Sequence, residues 1–179
     1  FSNLMASNPL GKMMSQMLLG IHPKRKAPKF MRQTFSKWFN TRGAGNAQAT
    51  NTVMLLNDTY MNYNYPEIGQ AAVALLEAAG LKVVLSETKC CGRPMISKGL
   101  LDDATTNAVS NLGQLYAYAE AGIPVIGCEP SCLLTFRDEY PQLVRDERAK
   151  KVAENSFMID EFLMKLKEEG KLELNMGKL

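Results

Sequence analysis

The stretch "TVMLLNDTYMNYNYPEIGQAAVALLEAAGLKVVL", residues 52–85, decides the fold. It opens and closes on short apolar runs, 52–56 and 81–85, with the length and composition of buried strands. Between them Pro66 stands where a helix can begin, because a first-turn residue needs no N–H. Ile68, Ala72, Leu75 and Ala79 recur at the spacing of one helical face, and Gly80 is placed to end the helix. A strand, a helix and a second strand in this order predict two parallel strands joined by a crossover helix.

The same rhythm continues toward the C-terminus. Residues 102–121 are predicted helical, with one interruption and an end at Gly122. "IPVIG" (123–127) follows as a third strand, a short helix begins near Pro130, and 147–169 reads as one long charged helix. Toward the N-terminus the pattern changes. Leu10, Met13, Met14, Met17 and Leu18 give 4–19 an amphipathic helical face. "HPKRKAPK" breaks it, and Met31, Phe35, Trp38 and Phe39 form a second face with Lys29, Arg32 and Lys37 around it. "TRGAGNAQATN" (41–51) has linker composition. Residues 1–57 contain eight Lys or Arg and no Asp or Glu, whereas 58–179 contain 13 basic and 18 acidic residues. The expected fold class is therefore α/β, a parallel sheet with flanking helices, preceded by a basic helical appendage. The boundary falls between 1–50 and 51–179.

Apolar residues make up 46% of the 179, enough for one substantial core. No apolar run reaches the ~18 residues of a membrane span, and no signal peptide is visible. A start at Phe1 rather than methionine suggests a piece of a longer protein. Four cysteines are too few for a secreted disulfide scaffold and suit thiol chemistry in a reducing compartment. The expected location is cytoplasmic, with a peripheral position on the inner face of the cell membrane as an extension of that reading. His22 is the single histidine and lies in the basic stretch, which argues against Ser/His or Cys/His hydrolysis. Neither glycine-rich nucleotide motif is present.

All four cysteines lie beyond the ends of predicted strands. Cys90 and Cys91 follow the second, Cys128 lies just past the third, and Cys132 is in the helix beyond. Sites in open parallel sheets form at the carboxyl ends of the strands. Four thiolates there suit a soft metal or an iron–sulfur cluster. Zinc usually takes cysteines from spaced pairs, so adjacent Cys90 and Cys91 favour a cluster, and Gly92 lets the backbone turn tightly. The plain alternative is inert buried thiols, and for Cys128 both readings stand, since small thiols are common in apolar positions. Arg93, Lys98 and Arg137 either offset a cluster's charge or are solvated surface residues. Tyr60, Asn62 and Tyr63 either line an acceptor pocket or pack over the sheet.

Three stretches, "TYMNYNYPEIG" (59–69), "CCGRPMISKGLL" (90–101) and "EPSCLLTFRDEYP" (129–141), resemble the cysteine-rich CCG domain. That domain occurs in heterodisulfide reductase and in the iron–sulfur subunits of glycolate oxidase and anaerobic glycerol-3-phosphate dehydrogenase. It also closes large fused FAD-linked dehydrogenases. "NYNYPEIG" and "EPSC" point to the dehydrogenase branch. "GIHPKRKAPKFMRQTFSKWF" (20–39) resembles the segment that links a ferredoxin-like domain to this one. The resemblance implies electron transfer from flavin to a quinone or another acceptor through an iron–sulfur cluster, of 4Fe–4S type. Cys90, Cys91, Cys128 and Cys132 are the implied metal ligands, and Thr59, Gly92 and Arg93 border the cofactor. FAD belongs to the parent protein or a partner, and the implied partners are FAD-binding and ferredoxin-like domains.

Two departures qualify the resemblance. Thr59 stands where the family has a cysteine, and the second cysteine group is C-x3-C rather than C-x2-C. A scaffold of the same fold that holds zinc, or no metal, is the alternative. The basic N-terminal stretch is expected to dock on a partner domain, with an anionic membrane surface next. Nucleic acid is not an expected partner, since eight basic residues without a recognised binding fold make a weak case.

Overall fold

Every side chain from 53 to 56 is apolar, and every one is buried. Strand β1 (Thr52–Leu55) sends Val53 and Leu55 into one core and Met54, with Leu56 after it, into another, because successive strand residues face opposite ways. A strand buried on both faces belongs inside a sheet covered on both sides. A computed structural model describes residues 2–43, 45, 46 and 48–172. In it β1 is joined by β2 (Lys82–Leu85), β3 (Val125–Gly127) and β4 (Ser156–Met158) in the order β2-β1-β3-β4. All three pairings are parallel, with Thr52 opposite Lys82, Met54 opposite Val125 and Val125 opposite Ser156.

In chain order the helices are α1 (Ser2–Ser7), α2 (Pro9–Leu19), α3 (Phe35–Thr41), α4 (Thr59–Tyr63), α5 (Pro66–Ala78), α6 (Arg93–Ile96), α7 (Leu101–Glu120) and α8 (Pro130–Leu134). A π-helical turn, Thr135–Glu139, joins α8 to α9 (Tyr140–Val144), and α10 (Glu147–Glu154) and α11 (Ile159–Glu168) follow. One layer packs α7 and the helices from α8 to α10 against Met54, Leu56 and Val125. The other packs α3, α4, α5 and α11 against Val53, Leu55, Val83 and Ile126. The α/β class and the parallel sheet with flanking helices are as the sequence pattern predicts.

Several elements differ from the prediction. The long helix over 147–169 is two helices with an edge strand between them. Asn155 ends the first, and the Ser156 hydroxyl, buried, donates to the Val152 carbonyl at 2.7 Å. That frees 156–158 to pair with β3. The predicted interruption of the 102–121 helix is absent, and α7 runs unbroken. The 4–19 helix is two, because Pro9 starts a new helix that Asn8 caps through the Gly11 N–H at 2.6 Å.

The inner face of α5 is also turned. Gly69, Ala72, Val73 and Leu76 are buried, while Ile68 is 47% exposed. Phe35 causes the turn. Its ring, fully buried, lies over Gly69, where a Cβ would sit 2.6 Å from ring atoms. Gly69 is therefore a seat for an aromatic ring supplied by α3. Arg42 continues the contact, pairing with Glu77 at 2.8 Å and lying over Phe39 at 4.4 Å. The predicted linker over 41–51 includes two residues outside the described set, and 173–179 of the predicted second domain also lie outside it. Among the described residues no helix is long and apolar enough to cross a membrane.

Candidate functional site

The carboxyl ends of β1, β2 and β3 open onto one rim of the sheet. β1 lies between β2 and β3, so the chain leaves it first to one side and then to the other. That reversal makes the rim beside β1 the natural place for a site. A cleft of about 320 Å³ lies there, lined by Asn57, Asp58 and Thr59 after β1, Lys89, Cys90 and Cys91 after β2, and Cys132 on α8.

Cys91 and Cys132 meet. Their sulfurs are 3.5 Å apart and share a hydrogen bond, although 41 residues separate them. Cys91 is buried, Cys132 half-buried and Cys90 exposed at the cleft mouth. Cys128 is not part of this group. Cys91 and Cys132 belong to the core under α7, whereas Cys128 packs into the core on the opposite face of the sheet. It lines a second cavity with Tyr60, Tyr65 and Ile68, and Asp58 borders both cavities.

The electrostatics follow from this placement. The hydrogen bond shared with Cys132 brings Cys91 down to about 6, against the opposing effect of burial, with help from the Arg93 backbone N–H and the Thr135 hydroxyl. The same bond pushes Cys132 upward, and burial adds to it. The pair thus readily holds one negative charge. Cys128 goes up to about 11 through burial, with a contribution from the Asp58 charge. Burial also raises Asp58, and nearby Glu129 adds to the shift. Asp58 spends its carboxylate locally, accepting from the Met61 N–H at 2.9 Å as the cap of α4.

The remaining predicted residues have defined places. Gly92 has φ 91°, the left-handed region that favours glycine, and this bend turns the chain from Cys91 into α6. The Arg93 side chain pairs with Glu139, and its contribution to Cys91 comes through the backbone N–H. Thr59 is exposed in the first turn of α4 and lines the cleft.

Two residues that the sequence reading did not single out hold the cysteine loop. Asn111, on the inner face of α7 and fully buried, accepts from the Lys89 N–H at 2.8 Å. Its amide donates toward the carbonyls of Lys89 and Cys90 at 3.3 and 3.4 Å and to the Tyr140 hydroxyl at 2.9 Å. Tyr140, fully buried, donates to the Cys91 carbonyl at 2.9 Å. The available signal was a single asparagine inside the otherwise apolar row of Ala104, Ala108, Leu112 and Leu115, since a buried amide must find partners.

Donor chemistry decides what the cleft can hold. Three thiols border it, and the side-chain oxygen of Asn57 at its wall is buried without a hydrogen-bond partner. Among the described residues no three His, Cys, Asp or Glu side chains are grouped to hold a single metal ion. The donors that border the cleft are thiols, the type that binds a soft metal or an iron–sulfur cluster.

Comparison with known proteins agrees with this donor set. Residues 59–137 match the CCG cysteine-rich domain family. The match begins at Thr59 and takes in all four cysteines, together with β2, α7 and β3. The chain is 36% identical to a subunit of the anaerobic glycerol-3-phosphate dehydrogenase of Escherichia coli over 128 residues, 70% of this chain and 32% of that protein. It is 29% identical to D-2-hydroxyglutarate dehydrogenase of Pseudomonas putida over 59% of this chain and 10% of that protein. It is 31% identical to lactate utilization protein A of Exiguobacterium sp. over 63% and 45%. The chain thus spans about a third of the length of the glycerol-3-phosphate dehydrogenase relative, 32%. No solved structure gives a significant match.

Proposed function

We propose that this chain is the electron-transfer part of a dehydrogenase that acts on a 2-hydroxy acid or glycerol 3-phosphate. It holds an iron–sulfur cluster, of 4Fe–4S type, through Cys90, Cys91 and Cys132. The observation that carries the reading is the convergence of these three thiols on one cleft within a CCG domain whose relatives are named as dehydrogenases. Such a cluster supplies reversible one-electron transfer. The protein's part is to present thiolates, to brace them through Asn111 and Tyr140, and to keep one side of the site open. Cys128 stands outside this ligand set because it faces the other core, and the fourth position falls to the side of Thr59. Electrons would come from a flavin held elsewhere in the parent protein or complex and leave to a quinone or another acceptor. The exposed Leu10, Met13, Met17 and Leu18 of α2, beside a run of basic residues, support contact with a partner dehydrogenase domain.

Anaerobic treatment of the reduced chain with iron and sulfide tests the reading. The wild type is expected to turn brown. Cys90→Ser, Cys91→Ser and Cys132→Ser each lose most of the bound iron, while Cys128→Ser keeps it. Full iron loading of Cys91→Ser would sink the proposal. Stoichiometric zinc without iron uptake would establish the scaffold alternative.

A further inference from the structure

Two free thiols 3.5 Å apart on the wall of an open cleft stand one short movement from a covalent bond. Disulfide sulfurs lie about 2.05 Å apart, so a closing shift of about 1.5 Å joins them. Three other pairings are disfavoured. Cys90 and Cys91 are adjacent, and a bond between neighbours strains the peptide unit that joins them. Cys128 packs on the opposite face of the sheet from Cys91 and Cys132. Both partners of the favoured pair are braced. The Cys91 carbonyl is held by Tyr140, and Cys132 sits in the first turn of α8 behind the Glu129 cap and Pro130.

We propose that Cys91 and Cys132 form a reversible disulfide across the cleft whenever the cleft holds no metal. The bond is a covalent latch between the loop after β2 and helix α8. It removes two of the three thiols that border the cleft, so metal uptake waits on reduction. That consequence rests on the metal reading above, whereas the bond itself does not.

With hydrogen peroxide as oxidant the chemistry balances. One cysteine sulfur attacks the peroxide, the O–O bond breaks, and a sulfenic acid and one water result. The second sulfur displaces the sulfenic oxygen as a second water, and the S–S bond forms. Two thiols and one peroxide give one disulfide and two waters, and two electrons pass from the sulfur pair to the peroxide. A dithiol reverses the bond by thiol–disulfide exchange through a mixed disulfide.

The test uses the full chain, stripped of metal, reduced, desalted anaerobically and treated with equimolar hydrogen peroxide. Free thiols are expected to fall from four to two, the mass to fall by two hydrogens, and peptide mapping to join Cys91 to Cys132. Cys90→Ser and Cys128→Ser keep the bond. Cys91→Ser and Cys132→Ser lose it, and Cys132, being half-buried, is the substitution least disruptive to the core. The oxidised wild type takes up no iron and sulfide until dithiothreitol is added. Four persisting free thiols overturn the proposal, as does any dominant link other than Cys91–Cys132. Full iron uptake by the oxidised chain overturns the latch. A Cys91–Cys132 bond in a chain whose reduced form binds no metal upholds the pairing and overturns the cluster reading instead.

Discussion

Asn111 is where the candidate site depends most on one side chain. It satisfies the backbone on both sides of the residue 89–90 peptide and also carries the hydroxyl that fixes Cys91. Asn111→Ala removes the partner of the part-buried Lys89 N–H, of the neighbouring carbonyls and of the Tyr140 hydroxyl, a loss of about 2–3 kcal/mol in all. Tyr140→Phe removes the bond to the Cys91 carbonyl and the bond accepted from the Asn111 amide, and leaves the other Asn111 bonds in place, a loss of about 1–2 kcal/mol. Thermal melts should rank them wild type, Tyr140→Phe, Asn111→Ala, and reconstituted iron should be lost faster in the same order. Thr59 carries the second prediction at this scale. If the position beside it is open to iron, Thr59→Cys supplies a thiolate where a hydroxyl binds iron weakly. The visible absorbance should then decay more slowly in air than in wild type at matched initial iron. Equal decay would place Thr59 outside the ligands. The sequence made the thiols legible because cysteine type and strand-end position are local facts. It left Cys128 open between ligand and apolar thiol, since a position just past a strand does not say which face of the sheet the side chain enters. Asn111 stayed hidden because its partners are brought to it only by tertiary packing.

Among the elements, β1 and β3 were legible because burial on both faces gives continuous apolar runs, and β2 because its β-branched run follows the Gly80 turn. β4 was not, because three edge residues, Ser156–Met158, interrupt a helical pattern without disturbing its apolar spacing. What restarts the helix is a charge. Glu161 accepts from the Met158 N–H at 3.0 Å and from Arg137 at 2.8 Å, which ties the start of α11 to the π turn. These two bonds, the backbone one first, hold the Glu161 carboxyl below its ordinary value of 4.5. A carboxyl depressed in the folded state adds stability above its unfolded pKa and loses that addition as the pH falls through its folded pKa. Wild type should therefore exceed Glu161→Gln in stability by a constant margin above pH ~4.5. Urea melts at stepped pH should show that margin closing below this value. The group is substantially exposed, so the margin is about 0.5 kcal/mol.

At the scale of the whole molecule, the charge break in the sequence and the packing place their boundaries differently. Acidic residues begin at Asp58, yet Phe35 fills the core against Gly69, and α4 holds the incoming chain. The Ser36 N–H donates to Asn62, the Asn64 amide to the Lys29 carbonyl, and the Met31 N–H to the Tyr63 carbonyl. By contrast α1 and α2 reach residue 30 through Asn3 alone among the described side-chain bonds. We propose that a fragment from Asn51 and one from Lys29 both fold, with the longer melting higher. Phe35→Ala in the full chain should account for most of that gap, about 3–5 kcal/mol. Equal melting of the two fragments would return the boundary to residue 50.

The π turn at Thr135–Glu139 has a consequence best described as one of phase. Cys132 and Tyr140 are eight residues apart, and at about 100° per residue an unbroken α-helix would leave them about 80° out of line. A π turn adds one residue without advancing the helix, which brings the offset to about 20°. Both side chains then reach the same cysteine, one at its sulfur and one at its carbonyl. The spare residue works as a vernier between the two contacts. Regularising the turn to α-helical geometry without removing a residue would swing Tyr140 about a quarter turn away from Cys91, while every residue of the site stayed in the chain.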